Sequence, residues 1–139
     1  MGRMVGAMRR LVLLTAALAG TLIGACTDQP TGPQAGTLSV RLANPNDGLD
    51  GAILFAVRGP AAPAGTPTPA TGDTLWGGPF TGTANAYVVT GNIRTGVVLT
   101  FSVPDVNVAN QYTATITQVA ASSDYALRSL TGYSLSISK

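Results

Sequence analysis

The sequence predicts an all-β domain, a seven-stranded antiparallel β-sandwich carried behind an N-terminal signal helix and a flexible tether. Three observations predict it. From residue 37 onward apolar side chains recur at every second position, the period of a strand with one buried face. The alternating runs are short and are separated by turn formers, in a chain with 17 Gly and 9 Pro among 139 residues. Seven such runs in about 100 residues favour two packed antiparallel sheets, and the length allows one small domain.

The elements follow in order. Residues 1–10 carry Arg3, Arg9 and Arg10 and no acid, residues 11–23 are almost wholly apolar, and Gly24, Ala25 and Cys26 come next. This is a basic region, an apolar region and small residues before a cleavage point. The apolar run is 13 residues long, whereas a membrane-crossing helix needs about 20. Residues 1–25 therefore read as a signal peptide. Ile23-Gly24-Ala25-Cys26 resembles the lipobox of bacterial lipoproteins: an aliphatic residue and two small ones precede the single Cys of the chain. The resemblance covers residues 1–26. It implies that the Cys26 sulfur carries diacylglycerol, with cleavage just before it; the alternative is an ordinary signal peptide whose last residue happens to be Cys. Two or three acyl chains hold a protein stably to a bilayer, where one holds it marginally. Arg9-Arg10 also partly resembles a twin-arginine signal. The Ser and Lys usual in that motif are missing, and the strongly apolar run favours general secretion.

Residues 26–36 form the lipidated Cys and its linker. Residues 27–36 hold two Pro, two Gly and no aliphatic side chain larger than Ala, so they read as an extended, solvated tether. Thr27 follows the Cys where retained inner-membrane lipoproteins of enteric bacteria have Asp, which favours the outer membrane in a two-membrane host.

The β domain covers 37–139. Residues 37–43 place Leu38, Val40 and Leu42 on one face and Thr37, Ser39 and Arg41 on the other. Residues 51–58 are nearly continuously apolar, as expected of a strand buried on both faces or central in its sheet. Residues 73–76 make a short edge strand. Residues 86–94 align Tyr87, Val89 and Ile93, residues 97–103 align Val97, Leu99, Phe101 and Val103, and residues 111–120 align Tyr112, Ala114 and Ile116. In the last run Tyr133, Leu135 and Ile137 alternate with serines. Around Arg94-Thr95-Gly96, a three-residue hairpin loop would pair Ile93 with Val97, Val89 with Phe101 and Tyr87 with Val103. That register puts the apolar sets on one face, with Gly96 in the left-handed position. Residues 59–72, with four Pro and three Gly, read as a mobile surface loop. Residues 121–131 read as at most a brief helix capped by Ser123 or Asp124.

The expected core is Leu38, Val40, Phe55, Val57, Leu99, Phe101, Ile116, Leu135 and Ile137. The 114 residues left after residue 25 can bury somewhat over 60% of their unfolded surface, enough for a core without disulfides. The domain resembles immunoglobulin-like or cohesin-type sandwiches in architecture. The Cys and Trp spacing of true immunoglobulin domains is absent, so none of that family's functional residues transfers.

Composition narrows the chemistry. The chain has no His, one Cys and no Glu, which removes His-based catalysis, a multi-Cys zinc site and an internal disulfide framework. A glycosidase needs two facing carboxylates and a Ser nucleophile needs a base. The six Asp are scattered, and Lys139 at the terminus is the only Lys. Asp105, after Pro104, reads as a turn cap. No enzyme is expected. Removing residues 1–25 takes Arg3, Arg9 and Arg10 from the eight basic residues, leaving five against six Asp and a net charge of −1. No basic stripe remains for a phosphate backbone, so no nucleic-acid partner is expected.

Two segments carry candidate sites. Asn44, Asn46, Asp47 and Asp50 concentrate oxygen ligands of the kind Ca²⁺ prefers, out of register for an EF-hand loop; the same residue types serve a plain turn. Trp76 and Phe80, with Tyr87, read either as a flat platform for a sugar ring or a partner's apolar knob, or, if turned inward, as a core plug. The expectation is a lipid-anchored cell-envelope module without catalytic activity, structural or protein-interacting, with the membrane as one partner and a protein as another. No cofactor is expected beyond the lipid on Cys26. The alternative is a carbohydrate-binding or Ca²⁺-dependent adhesion module.

Overall fold

A computed structural model describes residues 32–139. The expectations for residues 1–25, for Cys26 and for the first part of the tether lie outside the described residues.

The chain forms β1 (Gly36–Ala43), β2 (Asp50–Arg58), β3 (Thr68–Pro69), β4 (Thr74–Trp76), β5 (Ala84–Ile93), β6 (Gly96–Val103), β7 (Thr113–Ala121) and β8 (Ser134–Ser138), with a 3-10 helix, η1, at Val106–Gln111. Two four-stranded antiparallel sheets result, ordered β3-β6-β1-β8 and β4-β5-β2-β7. Only β4 to β5 is a connection within one sheet. Every other link crosses to the opposite sheet, as in a β-sandwich. The inner faces meet in one core of Leu38, Val40, Leu42, Ile53, Phe55, Val57, Tyr87, Val89, Leu99, Phe101 and Val103, joined by Ile93, Val98, Tyr112 and Val119. The period-two sets drive this, since each pleat sends alternate side chains to opposite faces.

The all-β sandwich stands, with differences in detail. Among the described residues there are eight strands, not seven. Thr68–Pro69, inside the Pro-rich segment expected as loop, pairs with Thr100 and Leu99 at the edge of β6. An edge is where a strand tolerates Pro, because the missing N–H can face away from the ladder.

The hairpin expected across Arg94-Thr95-Gly96 does not form. β5 pairs with β2 and β4, and β6 with β1 and β3, so their apolar sets meet across the sandwich instead of side by side. The corner is fastened to the β1–β2 loop: Thr95 N donates to Asp47 Oδ1 at 2.7 Å and Asn44 N donates to Thr95 Oγ1 at 3.0 Å. Gly96 opens β6 at φ 130, a conformation that only Gly adopts readily.

Residues 121–131 contain no helix. Tyr125 N bonds to Ala121 O, Ala121 N to Ala126 O and Arg128 N to Val119 O, folding Leu127 back beside Ala120. Asp124 accepts from Ala126 N within this turn, so a side chain suited to a cap serves the turn instead. The one helical segment among the described residues is η1, capped by Asp105.

Of the expected core, Ile116, Leu135 and Ile137 are only partly buried. They sit on β7 and β8, at the edges of the two sheets. A register shift in the β2–β7 ladder lets Val119 take the inward position beyond Ile116.

Candidate functional site

The loop at residues 44–50 folds into a bonded polar cluster. Asn44 Nδ2 donates to Ile93 O at 3.1 Å, and Asn44 Oδ1 accepts from Asn46 N at 2.7 Å. Asp47 Oδ1 is taken by Thr95 N. Asp50, fully buried, accepts from Arg128 Nε on Oδ1 at 3.0 Å and from the Tyr133 hydroxyl on Oδ2 at 2.6 Å. That hydroxyl accepts in turn from Asn46 Nδ2 at 2.8 Å. A buried carboxylate demands such partners, and Arg128 and Tyr133 supply them from the other end of the sequence. Asn44, Asp47 and Asp50 thus each accept from donors of the protein itself, with the Asp50 carboxylate turned into the domain, and the Asn46 amide is held by its own bond to Tyr133. Among the described residues no three acidic, His or Cys side chains group as a metal site. Burial and the bond to the Asp50 carboxylate hold the Tyr133 hydroxyl above its ordinary pKa.

The three aromatics do not form one platform. Tyr87 is fully buried on the inner face of β5, tilted against Phe55 at 5.6 Å and stacked on Phe80 at 4.7 Å between ring centroids. Its inward direction follows from the alternation it shares with Val89. Phe80 is drawn onto Tyr87 and is also part-buried. It forms one wall of an open depression of about 570 Å³, shared with Ala62, Pro63, Thr66 and Pro79. Trp76 lies on the opposite face of the same sheet. Leu75, paired with inward Val89, points to the core, so Trp76, paired with Val88, points out. It is 57% exposed, and its indole Nε1 donates to Thr90 Oγ1 at 2.8 Å. Trp76 is therefore not a core plug, and Tyr87 cannot touch a ligand on its surface.

Trp76 joins a broader surface that the candidate residues did not include. The pairings place Ala52, Leu54 and Ala56 of β2 and Ala86, Val88 and Thr90 of β5 on the outer face of the β4-β5-β2-β7 sheet. Thr115, Gln118 and Ala120 of β7 continue it, and Leu127, 67% exposed, flanks Ala120. Arg58, at the end of β2, is the only charge among these strand positions. The other sheet shows a different outer face: Thr37, Ser39, Arg41, Thr100, Ser102, Ser136 and Ser138. The signal for the apolar face was present in the unbroken apolar run 52–57, in which both faces of β2 avoid polar residues.

Asp105 performs the capping expected of it. Its Oδ1 accepts from Gln34 N at 3.1 Å and Asn107 N at 2.9 Å, joining the last tether residues to η1. The Gln34 and Asn107 backbone bonds hold its carboxyl below the ordinary range. Ile23, Gly24, Ala25 and Cys26, expected as a lipobox, lie outside the described residues. Comparison with protein-family models, with curated proteins and with solved structures finds no match for this chain.

Proposed function

We propose that the chain is a lipid-anchored, non-catalytic protein of the bacterial cell envelope, a structural or protein-interaction module that meets its partner through the outer face of the β4-β5-β2-β7 sheet. One observation carries the interaction surface. Of two outer sheet faces, one is mainly a serine, threonine and arginine surface and the other is nearly uncharged and richer in apolar side chains, with Trp76 exposed on it. Exposed aromatic and aliphatic side chains gathered on one face are typical of a contact surface. The anchor rests on the basic, apolar and small-residue order of residues 1–26. Palmitate labelling of the wild type beside Cys26→Ser, with membrane fractionation, tests the anchor: label in neither protein overturns it. A photo-crosslinking residue at Val88, compared with one at Ser39, tests the face. Crosslinks to protein from Ser39 but not from Val88 would refute the assignment.

Trp76 also favours a second reading, a carbohydrate-binding module. Its indole lies on the outer face of the sheet, bonded to Thr90 and beside Val88 of β5. As the only Trp it reports alone. Emission that shifts or is protected from quenching on adding envelope glycans supports this reading, and emission that ignores them rejects it.

A further inference from the structure

Four strands stand at sheet edges: β3 and β8 in one sheet, β4 and β7 in the other. An edge exposes unpaired N–H and C=O groups, and proteins blunt it by shortness, proline, charge or a bulge. Three of these edges are blunted. β3 has two residues, one of them Pro69, and β4 has three. β7 is bulged where its register with β2 shifts between Leu54 and Phe55. β8 has none of these devices. Its five residues, Ser134-Leu135-Ser136-Ile137-Ser138, pair with β1 without a register shift and contain no charge, Pro or Gly. Among the described residues no backbone group of β8 bonds on the flank away from β1. The adjacent charge, Lys139, reaches instead to Asn107 Oδ1 at 3.4 Å. Leu135 and Ile137, which alternate with these serines, are only half-buried.

We propose that β8 is a self-association edge, at which two copies of this chain pair β8 with β8 antiparallel about a two-fold axis through Ser136. The two β3-β6-β1-β8 sheets then become one continuous sheet. The occupant is a second copy because β8 is self-complementary about its centre. The two-fold sets Leu135 opposite Ile137 of the other copy on the core face. On the outer face it sets Ser134 opposite Ser138, and Ser136 opposite itself. Slipping by one residue would put Leu135 opposite a serine and turn one copy's apolar side chains outward. An interface of this kind uses one surface patch twice. Copies tethered to one lipid surface would meet at raised effective concentration, but the pairing does not depend on the anchor.

The test uses the full chain carrying Cys26→Ser, so that association is measured without lipid. Sedimentation over a range of concentrations is expected to show a monomer–dimer equilibrium. Ser136→Asp should weaken the dimer several-fold while preserving the thermal midpoint of the monomer. The new carboxylate faces Arg41 within its own chain, across the β1–β8 pair, but confronts its own copy at the two-fold. Ser136→Cys should form an intermolecular disulfide under mild oxidation far faster than Ser39→Cys, which lies on the same face one strand further from the axis. A monomer at every concentration, a dimer indifferent to Ser136→Asp, or equal crosslinking at the two positions would each overturn the proposal.

Discussion

Replacing Tyr87 by Phe should stabilise the domain, against the usual direction for a core substitution. The ring is fully buried between Phe55 and Phe80, and Phe preserves those contacts. The hydroxyl is buried with no hydrogen-bond partner. Asn85 pulls on it only weakly, its amide being engaged with Gly82. A hydroxyl in that position costs about 1–3 kcal/mol, against the gain of about 1 kcal/mol that a satisfied one supplies. Removing it should raise stability by about 1 kcal/mol and Tm by about 4 °C. Burial also pushes the Tyr87 pKa up from 10.0 to about 12. A folded pKa above the unfolded one means that the fold disfavours the ionised hydroxyl, so the stability present below pH 10 includes the full advantage of the neutral form over the phenolate. That contribution is lost as pH rises toward 12, a gap worth about 3 kcal/mol. Urea unfolding followed by circular dichroism between pH 7 and 11 measures both effects. The wild type should lose stability steeply above pH 10 and Tyr87→Phe less so. Some loss should persist in the variant, since burial also raises Tyr112 and Tyr133. Destabilisation of Tyr87→Phe by 1 kcal/mol or more at neutral pH, on the scale of a lost hydrogen bond, would refute the reasoning.

Four further outcomes are expected. Arg128→Ala strands the buried Asp50 carboxylate with the Tyr133 hydroxyl alone and should cost about 3 kcal/mol in denaturant unfolding, more than Arg41→Ala at the surface. Gly59→Ala puts a methyl group onto the Tyr112 ring, so the variant should lose several degrees of Tm or fail to accumulate as folded protein. Asp105 has a depressed pKa, so its stabilisation is present above the ordinary Asp range and fades as pH falls through the folded value. Asp105→Ala should therefore flatten the acid limb of a Tm–pH profile. Millimolar Ca²⁺ should leave Tm unchanged, because Asp47 and Asp50 already accept from Thr95 and from Arg128 and Tyr133. A rise with Ca²⁺ that Asp47→Asn abolishes would show that the loop opens to bind it.

The strands were legible because alternation is written locally. Leu38, Val40 and Leu42, or Tyr87 and Val89, announce their buried face within a few residues, and the pleat does the rest. Asp105 was legible as a cap for the same reason, its partner Asn107 lying two residues away. Trp76 was not. Its direction depends on the register of a three-residue strand against Val88, and Gly-Gly-Pro after it permits either face. At residues 121–131, read as at most a brief helix, Asp124 could serve a turn as well as a helix start, and the pairing of Leu127 with Ala120 chose the turn.

The sequence by itself determined the all-β class, the position of most strands, the inward phase of the long alternating ones and the absence of His and Glu from any chemistry. Those properties follow from single residues and their immediate neighbours. Only the tertiary structure decided that β5 and β6 belong to different sheets, that Asp50 is a buried anchor instead of a loop ligand, and that one outer face is apolar. Each rests on contacts between distant residues: Asp50 meets Arg128 and Tyr133 across 78 and 83 positions. Two apolar sets brought side by side in a hairpin and two sets facing each other across a sandwich have the same alternating pattern. What separates them is which backbone edges are already paired, a property of the assembled sheets.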